Sequence, residues 1–210
     1  FGAVHGGLGV GSAGDATTLS FYPTKNLGAM GDAGALLTSN SRLADMFRCL
    51  RDYGQSSKYV HSAIGMNSRL DELHAAILRT AMLPRLSAWV GRRREIARRY
   101  LDEISNSKVS MLKTKPAAES VWHLFPVLVP PPLRNDFMTH LSSKNIQCGV
   151  HYPNLIPDQE AMKGVKEIEV LDSLERAHAF TLSEVSLPIN PYLEENEVDR
   201  VIDAVNTWGS

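Results

Sequence analysis

Two short apolar runs, residues 16–21 (ATTLSF) and 33–38 (AGALLT), are separated by a stretch that cannot continue a strand or start a helix. It reads Tyr22-Pro23-Thr24-Lys25-Asn26-Leu27-Gly28, followed by Ala29-Met30-Gly31-Asp32. Proline removes a backbone donor and presets φ, and glycine reaches conformations closed to other residues, so the chain must turn here. The flanking runs are short, apolar and rich in threonine and leucine, which predicts two buried strands joined by a lysine-bearing turn. Beyond residue 40 the pattern changes to a helical period, with Leu43, Met46, Phe47 and Leu50 on one face of a helix starting at Ser41. Strands and helices alternating in this way predict an α/β chain.

The turn also holds the most suggestive chemistry. Most lysines are solvated surface residues, but Phe21-Tyr22-Pro23 is not surface-like company for Lys25. An amine in a partly desolvated site gives up its proton more readily and becomes a nucleophile toward carbonyls. Pyridoxal phosphate is the carbonyl cofactor that such a lysine captures as a Schiff base. Ser20 stands five residues earlier, at the end of the first strand. Its hydroxyl could meet a phosphate or simply satisfy its own backbone.

Further along, residues 53–64 lack any periodicity and read as an ordered loop. Ser68 and Asp71 suggest a capping box for a helix running to about residue 83, with Leu70, Leu73 and Ile77 on one side. Pro84 interrupts it, and residues 85–104 form a long helix with Leu86, Val90, Ala97, Leu101 and Ile104 roughly aligned. Residues 105–120 are polar and turn-rich, a plausible boundary. A strand over 121–129, a helix over 136–144, a strand over 146–152, a loop then a helix over 161–177 and an amphipathic closing helix after Glu194-Glu195 complete the expected order. The domain reading is a larger unit over 1–84, a bridging helix over 85–107 and a smaller α+β domain over 108–210.

Composition narrows the partners. A formal net charge of −1 gives no pull toward nucleic acid or anionic membrane. No apolar stretch approaches the length of a membrane span. Cys49 and Cys148 lie far apart with no metal or redox spacing, as expected of thiols in a reducing cytoplasm. No histidine–carboxylate spacing resembles a metal site. Arg92-Arg93-Arg94 with Arg98 and Arg99 lacks the interleaved aromatics of a nucleic-acid surface and reads as a solvated or intersubunit face.

Five ordered segments carry a family resemblance: 20–34 around the lysine; Gly65-Met66-Asn67-Ser68-Arg69-Leu70-Asp71-Glu72-Leu73-His74-Ala75-Ala76; Trp122-His123-Leu124-Phe125; Ile146-Gln147-Cys148-Gly149-Val150-His151-Tyr152-Pro153; and Leu187-Pro188-Ile189-Asn190-Pro191. Together they resemble the nucleotide-sugar aminotransferases of the DegT/StrS type. That resemblance implies the aspartate-aminotransferase-like (type I) fold, with a partial large domain plus a smaller C-terminal domain. It implies pyridoxal 5′-phosphate on Lys25, a phosphate contact from Ser20, and an Asn67 that crosses a homodimer interface to the neighbour's cofactor phosphate. Asn67 could also cap the helix beside Ser68, and both roles are compatible because a helix N-terminus attracts anions. The resemblance further places Tyr22, His151 and Tyr152 toward the sugar-nucleotide pocket, while His123 fits packing. The implied reaction moves an amino group, from glutamate as the usual donor, onto a nucleotide-linked keto-sugar. In relatives acting as dehydratases histidine replaces the lysine, and Lys25 argues against that branch.

The residues ahead of Phe1 in such enzymes carry an aspartate and a glutamine that hold the cofactor ring, so the chain is expected to be the C-terminal part of a longer enzyme. A truncated, non-catalytic paralogue serving as a dimerisation or binding module is the rival. A third possibility, a nicotinamide-dependent oxidoreductase, rests on Gly9-Val10-Gly11-Ser12-Ala13-Gly14. That pattern needs a strand before it and a helix after it, whereas a strand-like run follows.

Overall fold

A computed structural model describes residues 1–165 and 169–209 of the 210-residue chain. The elements run β1 (Val4–His5), β2 (Leu8–Gly9), β3 (Thr17–Ser20), β4 (Gly34–Leu37), α1 (Ser41–Leu50), β5 (Gln55–Ser57), β6 (Val60–His61) and α2 (Glu72–Ile77). A π-helical turn (Leu78–Met82) and a 3₁₀ turn (Leu83–Arg85) lead into α3 (Leu86–Glu103). Then follow β7 (Ser110–Met111), β8 (Ala118–Glu119), β9 (Phe125–Leu128), α4 (Arg134–Ser143), α5 (Glu175–Ser183), β10 (Glu184–Leu187) and α6 (Glu195–Asn206). The chain divides into two compact units: residues 1–91 with 114–121, and residues 92–113 with 122–210.

In the first unit β3 and β4 form an antiparallel pair, Thr17 opposite Leu37 and Ser20 opposite Gly34. Its small core is Phe21, Leu27, Ala29 and Leu78, with Phe1, Ala33, Ala35, Leu70, Met82 and Leu86 packed around it. The expected α1 face forms, but none of its residues is fully buried. The expected interruption at Pro84, which lacks an N–H donor, forms: the backbone widens to a π turn and tightens to a 3₁₀ turn around it. The capping box at Ser68 does not form. Asp71 is the N-cap, its Oδ1 accepting the Leu73 N–H at 2.8 Å. Residues 53–64 are not a loop but the β5–β6 hairpin. Side chains hold that hairpin: the Tyr59 N–H donates to Gln55 Oε1 (3.0 Å) and Ser56 Oγ donates to the Val60 carbonyl (3.3 Å). Gly9 ends β2 and residues 10–14 lead toward β3, so strand rather than helix follows the glycine pattern, which removes the dinucleotide geometry.

The second unit has the larger core. Its sheet has the order β10–β9–β7, all antiparallel, with Val127 opposite Val185 and Phe125 opposite Leu187. Against this sheet pack Ile96, Ala97 and Tyr100 of α3, Phe137 and Leu141 of α4, and Val198, Val201, Ile202 and Val205 of α6. The spacing of the α6 residues places one stripe inward, and a reciprocal capping box between Glu194 and Glu197 starts the helix. On α3 the expected Val90 and Ala97 are buried, but Leu101 is exposed, and Arg93, Ile96 and Tyr100 face inward as well. Arg93 is therefore not part of a solvated basic face. Its Nη1 donates to the carbonyls of Ile189 (2.7 Å), Trp122 (3.2 Å) and His123 (3.4 Å). With those carbonyls turned toward the guanidinium, the strand expected over 121–129 begins only at Phe125. Arg92 and Arg99 do lie near the surface, paired with Glu195, and Arg99 also with Glu103 and Asp199.

The strand expected over 146–152 reduces to a single backbone pairing, Gly149 opposite Ser186. The reason is local: the next donor of that edge, the His151 N–H, goes to the Glu184 carboxylate (2.6 Å) instead of a carbonyl. The expected stretch 161–177 includes residues 166–168, which lie outside the described residues; its helix begins at Glu175.

Candidate functional site

The Lys25 turn is clamped at both ends. The Phe21 N–H donates to the Ala33 carbonyl (2.8 Å), and the Ala29 N–H returns to the Phe21 carbonyl (2.7 Å). Phe21, Leu27 and Ala29 are buried, and Phe21 stacks on Phe1 at 5.4 Å between ring centroids. Between these apolar anchors the Lys25 N–H closes onto the Tyr22 carbonyl at 2.8 Å. A Cβ at Gly28 would lie 2.3 Å from the Pro23 carbonyl oxygen, so only glycine lets the backbone fold back on itself here. The neighbouring Asn26 donates from Nδ2 to the Val121 carbonyl at 2.9 Å. Lys25 itself is half-buried and Tyr22 is half-exposed.

Ser20 is exposed at the end of β3, and its Oγ accepts the Tyr22 N–H at 3.2 Å. Ser20, Tyr22 and Lys25 thus share one turn. At Gly31, farther along the same connection, an added Cβ would meet the imidazole of His74 on α2 at 3.3 Å.

Asn67 lies elsewhere in the same unit, on the segment before α2 rather than at its cap. It is exposed, pairs through its backbone with Asp52, and accepts from Arg69 Nε at 3.2 Å. Arg69 in turn pairs with Asp52 at 3.1 Å, which orders the segment.

His151 and Tyr152 belong to the second unit. Tyr152 is exposed, with its ring edge-on to His151 at 5.4 Å. His151 is half-buried and engages two residues that sequence reasoning did not single out. Its Nδ1 is 2.9 Å from Ser186 Oγ, and Ser186 Oγ donates to Glu184 Oε1 at 2.5 Å. Glu184 is fully buried and Ser186 nearly so. Alternation along β10 explains the placement: Val185 and Leu187 enter the core, so Glu184 and Ser186 share the opposite face. The signal was present as Glu-x-Ser in an otherwise apolar strand, since buried polar groups require partners. Burial, and secondarily the charge of Glu184, push the nearby Cys148 thiol above its ordinary range.

The described residues include no helix long and apolar enough to cross a membrane. The DegT/DnrJ/EryC1/StrS aminotransferase family model matches residues 1–206, and the chain belongs to that family. It is 40% identical over 208 residues to a dTDP-3-amino-3,4,6-trideoxy-α-D-glucose transaminase from Streptomyces venezuelae, covering 99% of this chain and 54% of the relative. Among solved structures, S. venezuelae DesV in complex with a ketimine intermediate superposes with a TM-score of 0.90 at 40% identity, over 99% of this chain and 55% of that one. The Bacillus subtilis protein NtdA, solved with bound cofactor PMP, gives a TM-score of 0.78 at 29% identity, over 93% of this chain and 46% of that one. The chain thus spans about half the length of the curated relatives it matches. The mixed α/β architecture is part of the type I pyridoxal-phosphate transferase fold.

Proposed function

We propose that this chain forms part of an enzyme that transfers an amino group from an amino acid, glutamate being the usual donor in the family, to a keto-sugar carried on a nucleotide. The observation that carries this is the Lys25 turn. Lys25, half-buried as a residue, has its backbone fixed between buried Phe21 and Leu27, and a strand-end hydroxyl lies in the same turn, within a chain matched over residues 1–206 by an aminotransferase family. The donor set fits pyridoxal phosphate: an amine for its aldehyde and a hydroxyl for its phosphate. Bound, that cofactor supplies the electron-withdrawing ring that makes the donor's Cα proton acidic.

Lys25 Nζ would hold the cofactor through its aldehyde and, once released by the amino donor, would serve as the base that moves the donor's Cα proton. Ser20 Oγ accepts from Tyr22, which leaves its own proton free for a phosphate oxygen. Asn67, exposed on an ordered segment, supplies an amide to the cofactor phosphate of a second subunit, so the catalytic unit is a homodimer. By the family resemblance, Tyr22 in the first unit and, separately, His151 and Tyr152 in the second are assigned to binding the nucleotide-sugar.

Borohydride treatment of the full-length protein loaded with pyridoxal phosphate tests the assignment. Peptide mapping is expected to find the pyridoxyl adduct on Lys25, and K25A is expected to lose the adduct and at least about 10³-fold in amination rate. An adduct on another lysine, or full activity in K25A, overturns it.

A further inference from the structure

We propose that Glu184 and Ser186 are positioning residues that hold His151 in the Nδ1–H tautomer, so that Nε2 presents a lone pair to a hydroxyl of the sugar. The relay follows from counting protons. Both oxygens of Glu184 are filled by donors: Oε1 by the Ser186 hydroxyl at 2.5 Å and Oε2 by the His151 backbone N–H at 2.6 Å. A serine hydroxyl has one proton, and here it points at the carboxylate. Ser186 Oγ can then only accept from His151 Nδ1, 2.9 Å away, so that nitrogen carries the ring proton.

The remaining ring nitrogen makes no hydrogen bond among the described residues. The ring lies close over Gly149, where an added Cβ would sit 3.1 Å from its Cε1, and edge-on to Tyr152. The anchoring groups are rigid as well as polar: Glu184 and Ser186 sit on β10, paired to β9 on one side and to Gly149 on the other. An unprotonated Nε2 accepts hydrogen bonds and repels groups that can only accept them. It therefore selects a sugar hydroxyl over a diphosphate oxygen. The tautomer stands on the geometry alone, whereas the identity of its ligand rests on the proposed amination of a nucleotide-linked sugar.

Long-range ¹H–¹⁵N correlation spectra of histidine-labelled protein, with His151 assigned through H151Q, read the tautomer of the neutral ring directly. The native chain is expected to show protonated Nδ1 and bare Nε2, and both S186A and E184Q are expected to shift the ring toward the Nε2–H form. An Nε2–H ring in the native protein would mean that the relay runs from a neutral Glu184 toward the histidine, and overturns the proposal; so does a tautomer indifferent to both variants. Calorimetry on the full-length protein tests the ligand, with dTDP-glucose and dTDP as probes. S186A is expected to weaken dTDP-glucose about tenfold and leave dTDP unchanged. Equal weakening of both, or of neither, overturns the sugar contact. Labelling of Lys25 is independent of these readouts, so failure of the amination assignment is recognisable separately.

Discussion

The Ser20 hydroxyl already has a partner in the Tyr22 N–H, yet its proton remains free, so the backbone role and the phosphate role do not compete. S20A is expected to lower the affinity for pyridoxal phosphate by about 10- to 100-fold, the worth of a hydrogen bond to a charged group, with the fold retained. An absorbance titration of the full-length protein measures it, and unchanged affinity would return Ser20 to a purely local role. At this scale the sequence was readable where a residue's neighbours in the chain set its environment, as around Lys25. It was silent where the partner is distant. Nothing near Glu184 in the sequence announces His151, which comes alongside only because Gly149 pairs with Ser186.

Among the elements, the lysine turn is the one whose geometry depends on a single missing atom. G28A would place a methyl 2.3 Å from the Pro23 oxygen, against backbone that cannot swing aside. It is expected to cost about 1–3 kcal/mol in urea unfolding and to displace Lys25 enough to impair cofactor uptake. Wild-type stability in G28A would show the turn to be pliable. The pair β3–β4 follows closely from apolar pattern, and helices α1 and α6 from apolar period and capping residues. The β5–β6 hairpin does not, because Gln55 and Ser56 hold it through side chains and its strands show no apolar alternation. The strand expected near 150 stops after one pairing for the converse reason: a carboxylate from another strand takes the donor that would have extended it.

At the scale of the whole molecule, the second unit is organised around a buried cation. Arg93 ties together the carbonyls of Trp122, His123 and Ile189, which come from two distant parts of the chain. R93A is expected to destabilise the protein by about 1–3 kcal/mol for each carbonyl left without a donor, and R93K to recover only part, because an ammonium lacks the planar fork. Urea denaturation of the three proteins measures this. A change within about 0.5 kcal/mol would show that water replaces the guanidinium.

Sequence alone determined the local matters: that the chain turns around Lys25, where α1 starts, and which lysine lies in apolar company. Each depends on backbone preference and on contacts between near neighbours, which short-range order preserves. The tertiary structure decided which polar side chains are buried and what satisfies them. Arg93 was indistinguishable from its exposed neighbours, and Glu184 stood among apolar residues with no visible partner, until the core closed around them. Burial imposes a demand for partners that only the packed chain can meet.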